Sequence, residues 1–422
     1  MQDFLANKLQ GFTKYMERYL QVDVGYLMRG SFWMLLAQGF GFALSFVLML
    51  FFTNWVSRET YGEYRFLTAA LSFLGIIALP SLGHAYMRAV AKGRSGILFE
   101  VIKKKLSYGY IASLVAFAAA LYYLIQGNTH LFILFTIIAG VIPFFDLHAI
   151  YGIHLSGNRD FKTLSLFSTI QRTAVVIGLI LSIVLSGNIF VIFSTFLGVT
   201  IITNYIFFKK TLAKYPPSKE TDTETIPYGI HLSIVGALQQ AASYLDKLVL
   251  WKVAGPATVA MQAISIALPQ EIGNALNQVN GIALPKMATR ATEELRRAIP
   301  RKFCIFFLLT LPIAGLYILT APYLFKFFFP QYLDTLPFVL VASFLIFTAP
   351  VTFLSQYFYA TKHTRAIYWI QSTESLVSIA LFVILIPLYG VYGAILALDI
   401  KICTTFLLSA YFIFTDTRKE IT

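Results

Sequence analysis

The chain has 422 residues, of which 58% are apolar and only 13% charged, whereas an ordinary soluble domain carries about 25% charged residues. A mean hydropathy of +0.71 and 39 phenylalanines amount to more oily surface than one water-soluble core can hide, so the chain belongs in a bilayer. This excludes a soluble enzyme, a nucleic-acid-binding domain and a secreted disulfide scaffold, and leaves a formal net charge of +13 to be placed.

The N-terminal stretch 1–29 has no apolar run long enough for a signal peptide. Phe4, Leu5, Leu9, Phe12, Tyr15, Met16, Tyr19 and Leu20 recur at helical spacing with Lys8, Lys14 and Arg18 between them. That pattern predicts an amphipathic helix on the inner membrane surface, with a tail or partner-binding helix as the rival reading. A spanning helix needs about 20 mostly apolar residues. Such segments run over 31–55, 66–87, 106–126, 131–153, 164–186 and 189–208, and then over 229–251, 257–281, 303–321, 335–359, 366–386 and 391–414. The fold class is therefore an all-α polytopic membrane protein of about 12 transmembrane helices.

The basic residues give the topology. With the N-terminus inside, 26 of the 33 Lys and Arg fall in cytoplasmic pieces and 4 (Arg58, Arg65, Lys252 and Lys326) in external loops. This bias predicts that both termini face the cytoplasm. Twelve acidic residues share the inner side, so its net charge is about +14, enough to favour anionic lipid headgroups. The charge thus needs no nucleic-acid partner.

The chain divides into a cytoplasmic segment 1–29, a first six-helix lobe 30–208, a cytoplasmic linker 209–228 containing Pro216–Pro217, a second six-helix lobe 229–414, and a tail 415–422. A shift of 198 residues brings most segments of the first half onto those of the second. An even number of helices per half makes such repeats parallel, about an axis along the membrane normal. External loops are too short to hold an extramembrane catalytic site, and no GxxxxGK[ST] phosphate loop is present. The residues favour transport over catalysis, so the chain is not expected to be an enzyme and no resident cofactor is implied.

Eight ionisable side chains fall inside the apolar segments: Asp146, Arg172, Asp246, Lys247, Glu271, Glu374, Asp399 and Lys401. Charge in a bilayer core is costly and usually faces a water-filled cavity. Arg172 is too deep to snorkel; its guanidinium suits phosphate or carboxylate, or an internal salt bridge to Asp146. In the seventh segment Gln239, Ser243, Asp246 and Lys247 share a face bordered by Gln240. Adjacent Asp246 and Lys247 point about 100° apart, which predicts a separate partner for each. In the eighth, Glu271, Asn274 and Gln278 form one stripe, either lining a cavity or hydrogen-bonding between helices, and Pro269 predicts a kink. Asp146, Glu374 and Asp399 are candidate protonation sites, because desolvation raises a carboxyl pKa. His84, His148, His154 and His231 sit near inner helix ends, without metal-ligand spacing, and read as interfacial. Cys304 and Cys403 lie in predicted helices and imply no disulfide framework.

Several stretches carry a family likeness. MRGSFWMLLAQGFGFALSFVLMLFFTNWVSRETYGEYRFLTAA (28–70), with its Tyr61–Gly62 pair, resembles the opening of bacterial polysaccharide-biosynthesis flippases of the O-antigen type. YLDKLVLWKVAGPATVAMQAISIALP (244–269) resembles that family's seventh helix, with Asp246–Lys247 as its acid–base pair. GIALPKMATR (281–290) and IPLYGVYGAILA (386–397) are similar to its helix 8 exit and its helix 11–12 turn. One departure is Ala260–Met261–Gln262, where the family usually shows Gly–x–Tyr.

The resemblance implies the multidrug/oligosaccharidyl-lipid/polysaccharide exporter fold, two six-helix lobes with alternating access. It implies a bacterial inner-membrane flippase that carries a polyprenyl-pyrophosphate-linked oligosaccharide, with membrane lipids, a glycan polymerase and glycosyltransferases as partners. On that reading Arg172, Lys247 and Lys401 supply cations for the diphosphate, and Gln38, Gln239, Gln240, Asn274 and Gln278 supply hydrogen bonds for sugars. Asp146, Asp246, Glu271, Glu374 and Asp399 would then serve H⁺ or Na⁺ coupling or gating. The alternatives are a multidrug cation antiporter of the same superfamily and a non-transport scaffold of a glycan-assembly complex.

Overall fold

A computed structural model of the protein describes residues 24–288 and 292–419. The expected amphipathic N-terminal helix lies mostly outside the described residues. Helices α1 (Val24–Trp55), α2 (Arg58–Gly75), α3 (Leu82–Ala91), α4 (Leu98–Ile125), α5 (Thr129–Phe145), α6 (Ile150–Gly157), α7 (Phe161–Leu185) and α8 (Ile189–Lys214) make the first half. The second half holds α9 (Thr225–Ala254), α10 (Pro256–Ala288), α11 (Thr292–Phe328), α12 (Leu336–Ala342), α13 (Thr348–Ala360), α14 (Thr364–Tyr389) and α15 (Val391–Lys419). Each of the twelve apolar segments is mostly helical, with turns interrupting those at 66–87 and 131–153, and no strand occurs among the described residues. Polar caps mark several starts: Ser57, Asn128, Asp160 and Asn188 each accept a hydrogen bond from a backbone N–H of the first turn.

Among the described residues nine helices are long and apolar enough to cross a membrane, ten when the bent pair α2–α3 counts as one span. The two remaining helices, α9 and α10, are long but too polar to qualify, and they carry most of the polar stripe read from the sequence. Several helices extend past their apolar segments: α2 begins at Arg58 rather than 66, and α11 at Thr292 rather than 303. Hydropathy marks only the oily middle of a helix and misses its polar turns. The linker shortens accordingly to the stretch between Lys214 and Thr225.

The proline kink falls elsewhere than expected. α10 runs uninterrupted through Pro269, which is flanked by the good helix formers Leu268, Gln270 and Glu271. The break occurs instead between α2 and α3, where Leu79 adopts a left-handed conformation (φ 55°) ahead of Pro80 and the axis bends by 59°. A second break separates α5 from α6 at Asp146. Its carboxylate receives the buried Lys105 ammonium at 3.3 Å. Lys105, counted in the sequence among the loop charges, is thus the partner of Asp146, and Arg172 is not.

The two halves share a core at the end of the bundle that carries Arg58. Phe52, Tyr61, Leu67 and Phe193 from the first half pack with Ala260, Ile264, Phe325 and Tyr332 from the second. Gly62 is what permits that closeness: a Cβ there would sit 1.8 Å from the Pro256 carbonyl oxygen. Nearby, the Phe66 ring stacks on Trp251 with centroids 4.1 Å apart. At the opposite, basic-loop end Met287, Leu295 and Phe358 form a core of the second half alone. There the halves meet where Gly229 packs on Leu82 and Ala85.

The linker is pinned to the first half. Ser95 N–H donates to Ser218 Oγ at 3.0 Å, Ser218 N–H returns a bond to Ser95 Oγ at 2.7 Å, and Gly96 N–H donates to the Glu220 carbonyl. Beside it, His154 is buried rather than interfacial, bonded to Tyr86 Oη at 2.7 Å and to the Tyr215 carbonyl at 3.0 Å. Asp160 caps α7 and accepts from Lys214 Nζ at 2.6 Å and Tyr215 Oη at 3.1 Å. Partial burial alone would raise its pKa, but these bonds outweigh it and hold the carboxyl at about 2, below its usual 3.8. The stabilisation is therefore present above about pH 4 and is lost as pH falls toward 2. Asp160→Asn is expected to lower the Tm by roughly 2–4 °C at pH 7 and by less at pH 3, read by thermal unfolding in detergent.

Candidate substrate-binding cleft

A cleft opens between α1 and α10. Its wider part, about 490 Å³, is lined by Gln38, Phe42, Glu271, Leu276 and Gln278. It deepens through the shared walls Phe42 and Glu271 to a polar floor of about 170 Å³, where Ser45, Tyr61, Arg65 and Gln270 join them. The floor lies against the core shared by the two halves, so the cleft ends blindly toward the Arg58 end.

Arg65 is the residue that sequence reasoning missed. The apolar pattern puts it in an external loop, but the Ser57 cap starts α2 early and places Arg65 two turns inside the helix. Among the described residues its Nε is buried without a hydrogen-bond partner. The side chain is half-buried, and an orphaned guanidinium N–H of this kind suits an anionic ligand. The signal was available in Ser57, followed by Arg58-Glu59-Thr60, a helix start that hydropathy alone overrides.

Arg172 reaches a neighbouring crevice of about 340 Å³ between α1 and α7, which shares Gln38 with the main cleft. Its Nη2 donates to Ser45 Oγ at 2.7 Å. The guanidinium lies over Gly41, where a Cβ would stand 2.1 Å from Nη1. Gly41→Ala is expected to push the guanidinium off Ser45 and to lower transport by about tenfold, as loss of a charge-assisted hydrogen bond does. Export assays set beside Arg172→Gln check this, with similar deficits as the expected result.

The other residues singled out from the sequence fall into separate places. Asp246 is buried and pairs with its own neighbour Lys247 at 3.0 Å. The expectation of separate partners fails because the long lysine stem lets its ammonium reach the neighbouring carboxylate. Gln262, at the position where the family pattern is broken, is fully buried and donates to Asp246 at 2.8 Å. Gln240 and Ser81 flank Gly236 beside the α2–α3 break. Asn274 is exposed, and Asn280 ties α10 to the Ala349 carbonyl at 3.0 Å. Asp399 keeps one carboxylate oxygen buried without a partner among the described residues.

Gln239 and Glu374 belong to a further cavity of about 470 Å³ inside the second half. Glu374 pairs with Lys401 at 3.0 Å and accepts from Thr405 Oγ1 at 3.0 Å. Lys401→Met leaves that carboxylate uncompensated and is expected to cost about 1–3 kcal/mol, since the pair is only partly exposed. Adding Glu374→Gln should recover most of the loss in a thermal-unfolding double-mutant cycle. Among the described residues no group of three His, Cys, Asp or Glu side chains could hold a metal ion.

Bundled apolar helices around a cleft with an Arg at its floor define a multi-pass membrane protein. The fold resembles a lipid II flippase, MurJ, in an inward closed conformation (TM-score 0.69, 18% identity, covering 90% of this chain and 86% of that one). It is also similar to a MATE transporter bound to MaD5 (TM-score 0.62, 15% identity, 94% and 98% covered). A third likeness is to a MOP superfamily transporter from Pyrococcus furiosus (TM-score 0.60, 15% identity, 91% and 95% covered). No curated protein sequence matches the chain. The chain belongs to the polysaccharide biosynthesis protein family, whose model matches residues 27–265.

Proposed function

We propose that the protein is a flippase for a polyprenyl-pyrophosphate-linked oligosaccharide, the repeat unit of an O-antigen, capsule or exopolysaccharide, and that it works by alternating access in a bacterial cytoplasmic membrane. Arg65 carries this reading: a half-buried guanidinium whose Nε is enclosed without a hydrogen-bond partner, at the blind floor of a cleft between the halves, is suited to a diphosphate. The family match and the likeness to a lipid II flippase support the same cargo class. With both termini inside, the cleft would open toward the cytoplasm while the Arg58 end stays shut. Arg172 would meet the same head group from the neighbouring crevice, Gln38 and Gln278 would bind sugar hydroxyls, and the polyprenyl chain would stay in lipid. Glu271, beside Arg65, is the carboxylate placed to exchange H⁺ or Na⁺ during the cycle. A glycan polymerase and glycosyltransferases would act before and after it.

A multidrug cation antiporter of the same fold is the second reading. The unpaired cation at the floor counts against it, because it repels a cationic drug. The test is a dithionite-type protection assay in proteoliposomes with a fluorescent polyprenyl-diphosphate sugar. Protein-dependent exposure of the label, lost in Arg65→Gln, is the expected result. No flipping, alongside efflux of a cationic dye, would overturn the proposal.

A further inference from the structure

We infer that the cavity of the second half is a binding chamber for uncharged sugar residues, separate from the cationic floor of the cleft. The inference rests on the reading of the cargo as a lipid-linked glycan.

The chamber lies among α9, α13, α14 and α15, and its walls are rich in groups that both donate and accept hydrogen bonds. Gln239, Gln356 and Gln371 bring carboxamides, and Thr352 and Ser355 bring hydroxyls. Tyr359, 45% exposed, adds an aromatic ring to the same wall, a surface on which the C–H face of a sugar can rest. Gln371 is held in place by donating from Nε2 to Tyr359 Oη at 2.8 Å. That bond uses one amide hydrogen and leaves the rest of its carboxamide for a ligand. Gln239 and Tyr359 are themselves exposed, which marks the mouth.

The one acid in the wall is already answered. Glu374 is held by Lys401 and by the Thr405 hydroxyl, so the chamber presents no free net charge. A cation finds no unpaired carboxylate there, and a diphosphate finds no unpaired ammonium. What remains attractive is a neutral ligand dense in hydroxyl and amide groups. The cavity, about 470 Å³, falls within the range of small-molecule sites, roughly 300–1,000 Å³. Head group and glycan therefore meet different chemistry in different halves.

The experiment uses the full-length protein in nanodiscs and two soluble probes, a library of fluorescent neutral oligosaccharides and farnesyl diphosphate. The wild type is expected to bind at least one oligosaccharide, and Gln356→Leu with Gln371→Leu should weaken it tenfold or more. Farnesyl diphosphate binding should stay unchanged in that variant, and Tyr359→Phe should give a smaller loss of oligosaccharide. A thermal midpoint equal to wild type shows that the variants fold. Failure of the wild type to bind any oligosaccharide, or an equal loss of both probes, overturns the inference. If Arg65→Gln leaves farnesyl diphosphate binding intact while the chamber variants behave as expected, the head-group reading fails and the chamber stands.

Discussion

Replacing Arg65 with Gln is expected to reduce glycan export by about 10- to 100-fold, in a strain that lacks the native protein and makes the variant at normal levels. The magnitude follows from hydrogen bonds to a charged group, worth about 1.5–3 kcal/mol each. Stability should not fall with export. The Arg65 Nε has no protein partner to lose, so its replacement breaks no hydrogen bond at that atom. A Tm equal to or above wild type, together with lost export, separates a binding role from a structural one. Arg65→Lys keeps the charge but loses the planar fork, so an intermediate rate is expected. Full export by Arg65→Gln would end the head-group model.

The Arg58 end should behave as a latch. Arg58 grips both carboxylate oxygens of Asp334 at 2.8 Å, bonds the Gln331 carbonyl and lies 4.8 Å over the Tyr332 ring. Asn54 Nδ2 adds a bond to the Phe328 carbonyl at 3.1 Å. An exposed pair contributes about 0.2–1 kcal/mol, but cation–π contact and the backbone bond raise the sum, and a like-charge pair reverses its sign. Asp334→Arg is thus expected to shift the balance toward a state open at this end by about 5- to 50-fold, and Arg58→Asp likewise. The double swap should restore closure. Spin labels on α1 and α11 would report this by distance distributions, after the exposed Cys304 and Cys403 are replaced. Single reversals that leave those distributions unchanged would remove the latch.

The helices were legible because each carries a long apolar run, which one criterion detects. The cleft was only partly legible. Glu271 and Gln278 of the eighth segment's stripe line it together with Gln38 of the first segment, whereas Asn274, the third member of that stripe, is not among the lining residues. Arg65 was lost because a polar first turn looks like a loop to hydropathy. Lys105 was lost for the same reason, although it is the partner of Asp146. Pairings across helices, such as Lys401 with Glu374, depend on how helices pack, and one sequence does not encode that in any local pattern. The departure at Gln262 shows the converse: a break in a familiar motif becomes intelligible once its contact with Asp246 is seen.

The polarity of α9 and α10 also bears on how the chain is made. These two helices line the interface with α2, and they are the pair among the described residues that fall short of membrane-spanning hydropathy. Insertion of a helix by itself depends on its own partitioning into lipid. α9 and α10 gain least from that partitioning, so they need the broken α2–α3 unit, already in place, as their polar surroundings. The order of synthesis supplies it, because the first half precedes them in the chain. The polarity of these two helices thus makes biogenesis of the second half depend on the first.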